Sequence, residues 1–549
     1  MKTNNRSSRI GQRWTACHGS RHRSRVSGLS LSLLLIGLAF HANAQLVSYE
    51  WPTAPGEAMK SEQYRVWVKL GAGAERELTV LRSDAIYEGG KYLDGEAADL
   101  KGRTFSFAQV SYDPAGGKAL TFRVEKIFGT AAGKITLAPR SYGLLPDVKQ
   151  DGREVSFQIT NANRYVSVDF DTEDNHTVYH GWIKHMLCVF VDPKETDVPE
   201  TNAPGVVVYR PQVEAKVLNG AKVICFPPGH YNLKGVQKPG SIEDEGKLII
   251  RDGQALYLAG GAFLEAHIHY AGHDQKIYGR GILSGRQYIW HKSIKDRRSI
   301  ISLGDRAQLQ GILIMESPLH GAVSGKDCVY EDLKFLGWHW NNDGFRPNSR
   351  TKIRNCFMRC ADDFFYNYEL DVRNMVLWPG HNGAVLTFGW GSYKLGGSVL
   401  QNIDLINPEW VSMQNNNGLV MGQNNFDFHP TGPATVLRDI RIERGVPGLF
   451  NLHPRTEKGQ LLAKPLRDTS KLGYVGDIRV ENVTVDRQFA KGGISGATNA
   501  VVGGGTFYVK NITVKNLKIG GVCVTEENKR QFTDIDEATT QDIKFLGCD

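Results

Sequence analysis

Three aspartates lie close together in the stretch "NNDGFRPNSRTKIRNCFMRCADDFFYNY", which runs from Asn341 to Tyr368. They are Asp343 and the adjacent pair Asp362 and Asp363. Carboxyl groups held close together cannot all ionise easily, so one is expected to stay protonated near neutral pH while another stays charged. Such a set supplies a general acid and a general base, the two groups that hydrolysis of a glycosidic bond requires, and a third acid can help to hold the water.

Aromatic and polar residues crowd the same region of the sequence. Aromatic rings pack against the C–H faces of sugars, and amide, imidazole and guanidinium groups hydrogen-bond to hydroxyls. A single aspartate in a turn or an aromatic residue in a strand is more commonly structural, but three acids with these neighbours favour a binding site. The candidate substrate-binding residues are Asn342, Arg346, Tyr366, Trp378, His381, Asn382 and Trp390.

The elements that must position the acids form a repeat over residues 201–549. Short strands recur there at intervals of about 20 to 40 residues, each with an Asn or Asp followed by an apolar residue, as in "KIRNCFM", "DVRNMVL" and "YVKNITV". One strand-rich coil per period is typical of a solenoid, and the sequence predicts a right-handed parallel β-helix. Asp362 and Asp363 follow Asp343 by 19 and 20 residues, about one coil. We therefore expect the three acids on neighbouring coils, about 4.8 Å apart, on one patch of the outer surface.

Residues 45–200 show a different pattern. Apolar and polar residues alternate in short runs such as "YRVWVKL", "TFSFAQVSY" and "YVSVDF", and Gly, Pro and Asp clusters separate the runs. This pattern predicts an antiparallel β-sandwich. The polar, Pro-containing segment Val191–Gly205 is interpreted as the linker. The expected fold is therefore all-β, with an N-terminal antiparallel β-sandwich followed by the β-helix.

Residues 1–44 have the features of a secretory signal peptide. Seven Lys or Arg residues and no acid precede the apolar run Leu29–Phe40, and "HANA" follows it before Gln45. This arrangement of a basic region, an apolar region and small residues at a cleavage site is typical of export signals. The apolar run of about 12 residues is shorter than the roughly 20 that span a bilayer. We expect a secreted or periplasmic protein with no membrane segment in its mature form.

Net charge and cysteine content indicate which partners, cross-links and metals the mature chain is expected to have. Without the seven leader charges, the formal net charge of +8 falls to about +1, so the mature chain lacks the basic character expected of a nucleic-acid-binding protein. Its seven widely spaced cysteines do not form a disulfide scaffold, although one or two bridges fit an oxidising compartment. Cys356 and Cys360 have no second pair nearby and are interpreted as interior residues. No metal site or cofactor is predicted, and a monomer is expected.

The acid-containing motifs resemble a known family. "NNDGF" and "CADDFFYNY" are similar to the catalytic region of glycoside hydrolase family 49, the dextranases and isopullulanase, whose three aspartates have the same offsets. The resemblance continues in "FPPGHYNL", "YLAGGAFLEA", "YGRGILSGRQY" and "LWPGHNGAVLTFGW". It implies a β-sandwich before a right-handed β-helix, and an inverting mechanism in which Asp362 donates the proton while Asp343 and Asp363 hold and activate the water. The implied substrate is an α-glucan, most often α-1,6-linked dextran, with pullulan as an alternative.

Other functions remain open on the sequence. The acids also resemble those of the family 28 polygalacturonases, although Asn342 stands where these have Thr, and Asn382 follows the Gly-His pair where these have Gly. A cationic cleft for an acidic polysaccharide is compatible with five nearby basic residues, Arg346, Arg350, Lys352, Arg354 and Arg359. A lyase that uses the acids as calcium ligands and a non-catalytic carbohydrate-binding solenoid are further alternatives. The low net charge and the wider similarity favour the neutral α-glucan.

Overall fold

A computed structural model describes residues 45–52, 59–85, 100–233, 243–244, 246–288, 299–388, 397–413, 416–422, 432–452, 474–495 and 508–549. Residues 1–44 lie outside the described residues, so the signal peptide stays a prediction. Within the described ranges, no helix is long and apolar enough to cross a membrane.

The N-terminal part is built from two facing β-sheets. Its strands are β1 (Gln45–Ser48), β2 (Tyr64–Leu70), β3 (Arg76–Leu78), β4 (Leu81–Asp84), β5 (Thr104–Asp113), β6 (Leu120–Lys126), β7 (Ile135–Ala138), β8 (Asp147–Val148), β9 (Glu154–Ile159), β10 (Arg164–Phe170) and β11 (His185–Pro193). One sheet has the order β1-β5-β11-β10-β7, with β4 also on β5, and the other has the order β3-β2-β6-β9-β8. Alternate residues of β6 are buried, and its Phe122 stacks on Phe157 of β9 with ring centroids 5.7 Å apart.

One pairing in the sandwich departs from the predicted antiparallel pattern. Strand β11 runs parallel to β5 over nine residue pairs, from His185 opposite Thr104 to Pro193 opposite Tyr112. Alternation of apolar and polar residues indicates which side chains face inward, but it does not give the direction of the neighbouring strand. The pairing of sequence-distant strands is therefore the part of this fold that the pattern left undetermined.

From Val206 onward, the described strands form successive coils. They are β12 (Val206–Val208), β13 (Val223–Phe226), β14 (Gly229–Asn232), β15 (Glu243–Asp244), β16 (Lys247–Arg251), β17 (Ala255–Leu258), β18 (Ala262–Glu265), β19 (His267–Ala271), β20 (Lys276–Gly279), β21 (Ile282–Ser284), β22 (Ile301–Leu303), β23 (Gln308–Gln310), β24 (Leu313–Met315), β25 (Ala322–Ser324), β26 (Val329–Glu331), β27 (Lys334–Leu336), β28 (Phe345–Pro347), β29 (Lys352–Arg354), β30 (Phe357–Cys360), β31 (Phe365–Tyr366), β32 (Asp371–Pro379), β33 (Ala384–Phe388), β34 (Val399–Leu405), β35 (Gly418–Gly422), β36 (Thr435–Val446), β37 (Phe450–Leu452), β38 (Tyr474–Gln488), β39 (Gly492–Ile494), β40 (Tyr508–Ile519), β41 (Val522–Cys523), β42 (Thr533–Ile535) and β43 (Thr540–Phe545). A short helix, α1 (Ala215–Gly220), follows β12. Single 3-10 turns occupy Arg140–Tyr142, Glu173–Asn175 and Lys529–Gln531.

Parallel pairing from coil to coil gives the β-helix that the sequence predicted. A long sheet runs through β12, β13, β14 and their successors to β43, and two shorter sheets, β15-β16-β19-β22-β25-β28 and β31-β33-β35-β37-β39-β42, form the remaining face. Along the long sheet, residues that are in register on successive coils are apolar and buried, and they stack on one another. One such row contains Leu283, Ile314, Phe335, Met358, Leu377, Leu405, Ile442, Val485 and Ile519. This interior row is part of the main hydrophobic core of the β-helix.

The recurrent Asn or Asp of each repeat forms a ladder of side-chain hydrogen bonds. Asn374 Nδ2 donates to Asn355 Oδ1 over 3.0 Å, and Asn402 Nδ2 donates to Asn374 Oδ1 over 2.8 Å. Further along, Asn482 and Asn516 continue the series. Each of these residues has a positive φ, between 52 and 56°, a conformation that Asn tolerates better than most residues. The Asn therefore serves both the local turn and the contact with the next coil.

The sandwich packs directly on the long sheet. Phe105 of β5 meets the edge of Trp378 of β32 at 5.8 Å, and Tyr165 donates its hydroxyl hydrogen to the Asn355 carbonyl over 2.9 Å. The fully buried Lys334 pairs with Asp192 at 2.7 Å. Burial of such a pair is tolerated only when both partners are present and hydrogen-bonded. Apolar, polar and ionic contacts thus fix the sandwich against the coils that precede and carry the acids.

The cysteines follow the sequence interpretation. Cys523 and Cys548 form a disulfide that ties the last strands together. Cys356 and Cys360 are both free and fully buried in the core of the β-helix. Burial raises the pKa of both thiols, which keeps them protonated and unreactive.

Candidate active site

The turns that precede the strands of the short sheets carry the acids, one coil above another. The Gly321 amide donates to the Asp343 carbonyl over 2.9 Å, and the Gly344 amide donates to the Asp363 carbonyl over 2.8 Å. The next coil continues the pattern, because the Phe364 amide donates to the Ala384 carbonyl over 2.9 Å. The structure therefore brings Asp343 together with the Asp362–Asp363 pair on neighbouring coils, as the 20-residue spacing predicted.

The three carboxyl groups are recessed rather than displayed on an open surface. Asp343, Asp362 and Asp363 are 2%, 7% and 3% exposed. Backbone amides hold two of them: Asp362 accepts hydrogen bonds from Asn341 over 2.7 Å and from Asp363 over 2.9 Å, and Asp363 accepts one from Ala384 over 2.9 Å. Backbone donors cannot change rotamer, so these carboxyls are held in fixed orientations.

Gly383 lies directly against the peptide bond that joins the paired acids. It has a φ of +80°, and a Cβ at this position would come within 2.1 Å of the Asp362 carbonyl carbon. A larger residue would have to displace the backbone that carries both carboxyls. The glycine thus allows two neighbouring coils to approach closely at the acids.

Asp343 has side-chain partners of its own. The Tyr366 hydroxyl donates to one carboxylate oxygen of Asp343 and lies 3.3 Å from Oδ2 of Asp363. His320 Nδ1 lies 3.1 Å from the other oxygen of Asp343. The guanidinium of Arg346 contacts His320 Nε2 at 3.3 Å and stacks over the Tyr366 ring at 4.2 Å. Tyr366 and His320 thus contact Asp343 directly, and Arg346 packs against both of them, so three side chains from three coils surround this carboxylate.

These surroundings separate the protonation behaviour of the acids. Burial and the charge of Asp343 raise the pKa of Asp362 to about 7. Burial and the charges of both neighbours also raise the pKa of Asp363 well above its usual range. Burial opposes ionisation of Asp343 as well, but His320, Tyr366 and Arg346 outweigh it and hold its pKa below the usual value. The cluster thus offers an ionised carboxylate beside a carboxyl that keeps its proton near neutral pH.

Comparison with known proteins gives dextranases and an isopullulanase among the curated relatives. No protein-family model matches the chain. A dextranase of Arthrobacter globiformis is 23% identical over 472 residues, 73% of this chain and 72% of that protein. An isopullulanase of Aspergillus niger is 22% identical over 382 residues, 61% of this chain and 66% of that protein. In fold, the chain is similar to Dex49A from Penicillium minioluteum, with a TM-score of 0.68 and 19% identity over 91% of this chain and 96% of that one.

In sequence and fold, the chain is similar to the dextranases and isopullulanase of glycoside hydrolase family 49. Its fold was predicted correctly as an all-β protein with a sandwich followed by a parallel β-helix. The acids lie on adjacent coils, as their spacing in the sequence predicted. Their individual roles are not given by the fold and are treated as a proposal below.

Four of the predicted substrate-binding residues lie at or beside the acids. Arg346 is half-buried beside His320, and Tyr366 contacts the acids themselves. The side chain of Asn382 is half-buried and hydrogen-bonds to Asp362. His381 is buried in the same turn, with its ring 5.8 Å from that of the exposed Trp340. Tyr366 and Asn382 therefore act on the carboxyls, while Arg346 and His381 line their surroundings.

The substrate-binding prediction is wrong for Asn342. Its side chain is fully buried, and all of its hydrogen-bonding groups are used by the backbone. Oδ1 accepts from the Trp338 and His339 amides over 2.7 and 2.8 Å, and Nδ2 donates to the Ser317 and Leu319 carbonyls over 2.9 and 2.8 Å. Asn342 therefore shapes the turn that presents Asp343, and it has no group left for a ligand.

The prediction is also wrong for Trp378. This side chain is fully buried between the β-helix and the sandwich, and its indole nitrogen donates to Glu409 over 3.1 Å. It lies on β32 and packs in the apolar cluster that the β-helix shares with sandwich residues such as Phe105. Trp390 lies outside the described residues, so its predicted contact with substrate stays a prediction.

Sequence reasoning missed His320. It precedes Asp343 by 23 residues, and the Gly that follows it stacks on the Gly that follows Asp343. The dipeptides His320-Gly321 and Asp343-Gly344 lie one coil apart, and this repeat could have indicated the contact once the coil length was known. Within the described residues, no group of three or more His, Cys, Asp or Glu side chains is arranged to hold a metal ion.

Proposed function

We propose that this chain is an exported hydrolase that cleaves α-1,6-glucosidic linkages within dextran and inverts the anomeric configuration. The observation that carries the proposal is the convergence of three recessed carboxyl groups on two adjacent coils, where Asp343 contacts Tyr366 and His320 and Asp362 accepts from backbone amides. In keeping with this geometry, burial and the charge of Asp343 raise the pKa of Asp362, whereas His320 and Tyr366 help to lower that of Asp343. The dextranase relatives support the substrate class, since they are similar over most of both chains.

Each acid has a distinct role in the proposed reaction. Asp362 donates its proton to the glycosidic oxygen as the bond to the leaving sugar breaks. Asp343, kept ionised by its neighbours, removes a proton from the attacking water, and Asp363 helps to hold that water. Tyr366 bridges these two residues and keeps the carboxylate of Asp343 oriented and charged.

A neutral substrate fits the charges around the acids better than a polyuronate does. Three of the nearby arginines are each paired with a carboxylate: Arg350 with Asp327, Arg354 with Asp371, and Arg359 with Glu409. Arg359 is also fully buried. Recognition of repeated carboxylates requires several cations directed into the cleft. Three of the basic residues that kept a polygalacturonase open on the sequence are therefore committed elsewhere.

The first test is release of reducing sugar from dextran, pullulan and polygalacturonate, measured side by side. We expect hydrolysis of dextran, and a fall of about 10²- to 10⁴-fold for Asp362→Asn, because the amide cannot donate a proton as an acid. Asp327→Asn is the matched control, since Asp327 is an exposed acid paired with Arg350, and it should retain activity. Activity on pullulan instead would assign isopullulanase-type specificity, and activity only on polygalacturonate would refute the proposal.

Inversion and export have separate tests. Proton NMR during early turnover should show the β-anomer at the newly formed reducing end of the product, and an α-anomer would contradict inversion. N-terminal sequencing of protein recovered outside the cytoplasm should begin near Gln45. Cytoplasmic protein that retains residues 1–44 would refute export.

A further inference from the structure

A cleft lies where the sandwich meets the β-helix, apart from the acids. It has a volume of about 440 Å³ and is bounded by the sandwich loop 179–183 and by turns of the β-helix near residues 407–411, 444–445 and 487–489. We call it the junction cleft. Its aromatic and polar lining includes Tyr179, Trp182, Asn407, Trp410, Arg487 and Phe489.

The junction cleft lies on the same side of the β-helix as the acids. Asp362 and Asp363 come directly after β30, and residues 407–411 come directly after β34, two coils further on. Arg444 lies near the end of β36, and Phe489 directly follows β38, the next two coils. At about 4.8 Å per coil, the turns that line the junction cleft lie about 10 to 19 Å from the acids along the axis of the β-helix. The Glu409 amide bonds to the Pro379 carbonyl over 2.9 Å, so the two groups of turns are directly connected.

The lining of the junction cleft suits a neutral sugar chain. Tyr179 is 77% exposed and Phe489 is 49% exposed, which leaves aromatic surface accessible at its rim. Trp410 is 2% exposed, and its indole N–H has no hydrogen-bond partner among the described residues. A buried donor of this kind is costly unless a ligand or water accepts from it. Arg444 is already paired with Asp169 at 2.5 Å, which reduces the positive charge of the site.

The wall of the junction cleft is tied to the catalytic coils. Trp182 lies under the guanidinium of Arg103 at 5.5 Å, and Arg103 forms two hydrogen bonds with Glu409, of 2.6 and 3.0 Å. Glu409 also accepts a hydrogen bond of 3.2 Å from Arg359, which precedes Asp362 by three residues. All three charged groups are essentially inaccessible to solvent. The sandwich loop is therefore held at a fixed distance from the acids, as a binding surface for a continuous chain requires.

From these observations we propose that the junction cleft is a remote glucan-binding subsite, in which the sandwich and the β-helix together hold the substrate chain away from the bond that is cut. The inference rests on the proposed function, because the occupant is the same α-glucan that reaches the acids. It assigns a binding role to the sandwich, whose exposed Tyr179 supplies a face for a sugar ring, while Trp410 of the β-helix supplies a donor for a hydroxyl. Long chains reach this subsite, and short oligosaccharides bound at the acids do not.

The test compares Tyr179→Ala with the parent enzyme on high-molecular-mass dextran and on isomaltotriose. Loss of one stacked aromatic ring is expected to raise KM for dextran about two- to twelvefold, with kcat little changed. Activity on isomaltotriose should be unaffected. Leu145→Ala is the control, since Leu145 is an 85% exposed side chain of the sandwich outside the junction cleft, and it should behave as the parent on both substrates.

The outcomes separate this inference from the proposed function. If the parent hydrolyses dextran and Tyr179→Ala matches it on both substrates, the subsite is refuted and the proposed function stands. An equal loss on both substrates also refutes the subsite, because it indicates damage to the catalytic coils. If the parent does not hydrolyse dextran, the proposed function fails and the subsite inference fails with it.

Discussion

Replacing Tyr366 by Phe removes one hydroxyl from the cluster of acids and keeps the ring that packs under Arg346. That hydroxyl donates to Asp343 and lies 3.3 Å from Asp363. A hydrogen bond to a charged group contributes about 1.5–3 kcal/mol, and one pKa unit corresponds to about 1.4 kcal/mol. The substitution should therefore raise the pKa of Asp343 by about 1–2 units.

The assay is the pH dependence of kcat/KM on dextran for Tyr366→Phe and the parent. Because the base must be ionised, the acidic limb of the profile should move to higher pH by the same 1–2 units. The alkaline limb reports loss of the proton from Asp362, whose pKa is about 7, and should stay in place, because Asp343 is ionised at that pH in both proteins.

Tyr330→Phe is the matched control for this experiment. Tyr330 is fully buried in the same β-helix, and in the described part of the structure no hydrogen bond joins its hydroxyl to an acid. Its profile should coincide with that of the parent. An acidic limb that stays in place in Tyr366→Phe, or that moves to lower pH, would refute the conclusion that this hydroxyl stabilises the ionised form of Asp343.

Three further substitutions test the scaffold. Glu409→Gln leaves the buried guanidinium groups of Arg103 and Arg359 without their counter-charge, so urea denaturation should show a free energy of unfolding lower by about 3–5 kcal/mol. Glu77→Gln, which breaks an exposed ion pair, should leave the free energy of unfolding nearly unchanged. Asn374→Ala should lower the thermal midpoint more than Asn374→Gly, because Ala in the left-handed conformation costs a further 1 kcal/mol or so; equal midpoints would contradict this reason. Gly383→Ala should reduce activity at least about 10²-fold while circular dichroism stays native, and Gly253→Ala, which has the same backbone conformation but open space around it, should stay active.

The relative positions of the three acids could be predicted because they depend on the number of residues in one coil. In a β-helix, chain distance converts into spatial contact through the coil period, so the offset between Asp343 and the Asp362–Asp363 pair was enough to bring them together. The same conversion of chain distance into contact applies to His320, which lies one coil before Asp343. However, the two residues are 23 positions apart and differ in type, so the spacing of the acids did not indicate this contact. Variation in coil length concealed this contact from the sequence pattern.

The errors concern the direction and the bonding partners of side chains. Asn342 and Trp378 have residue types that suit sugar binding, yet one is used by the backbone of its own turn and the other packs against the sandwich. Asp343, the next residue after Asn342, and His381, three residues after Trp378, lie in the cluster of acids and its surroundings. Which of two nearby residues lies there depends on turn geometry and on packing against a second domain, and neither is encoded in local composition.

The asparagine ladder keeps neighbouring coils aligned whatever the number of residues in each coil. Consecutive rungs are 19 residues apart between Asn355 and Asn374, and 43 residues apart between Asp439 and Asn482, yet each pair makes the same contact. Residues can therefore be gained or lost between rungs without moving the strands above or below them. An enzyme built in this way can acquire new loops around its substrate by insertion, coil by coil, while the acids keep their register. Specificity and catalysis are thus free to evolve at different rates along a single chain.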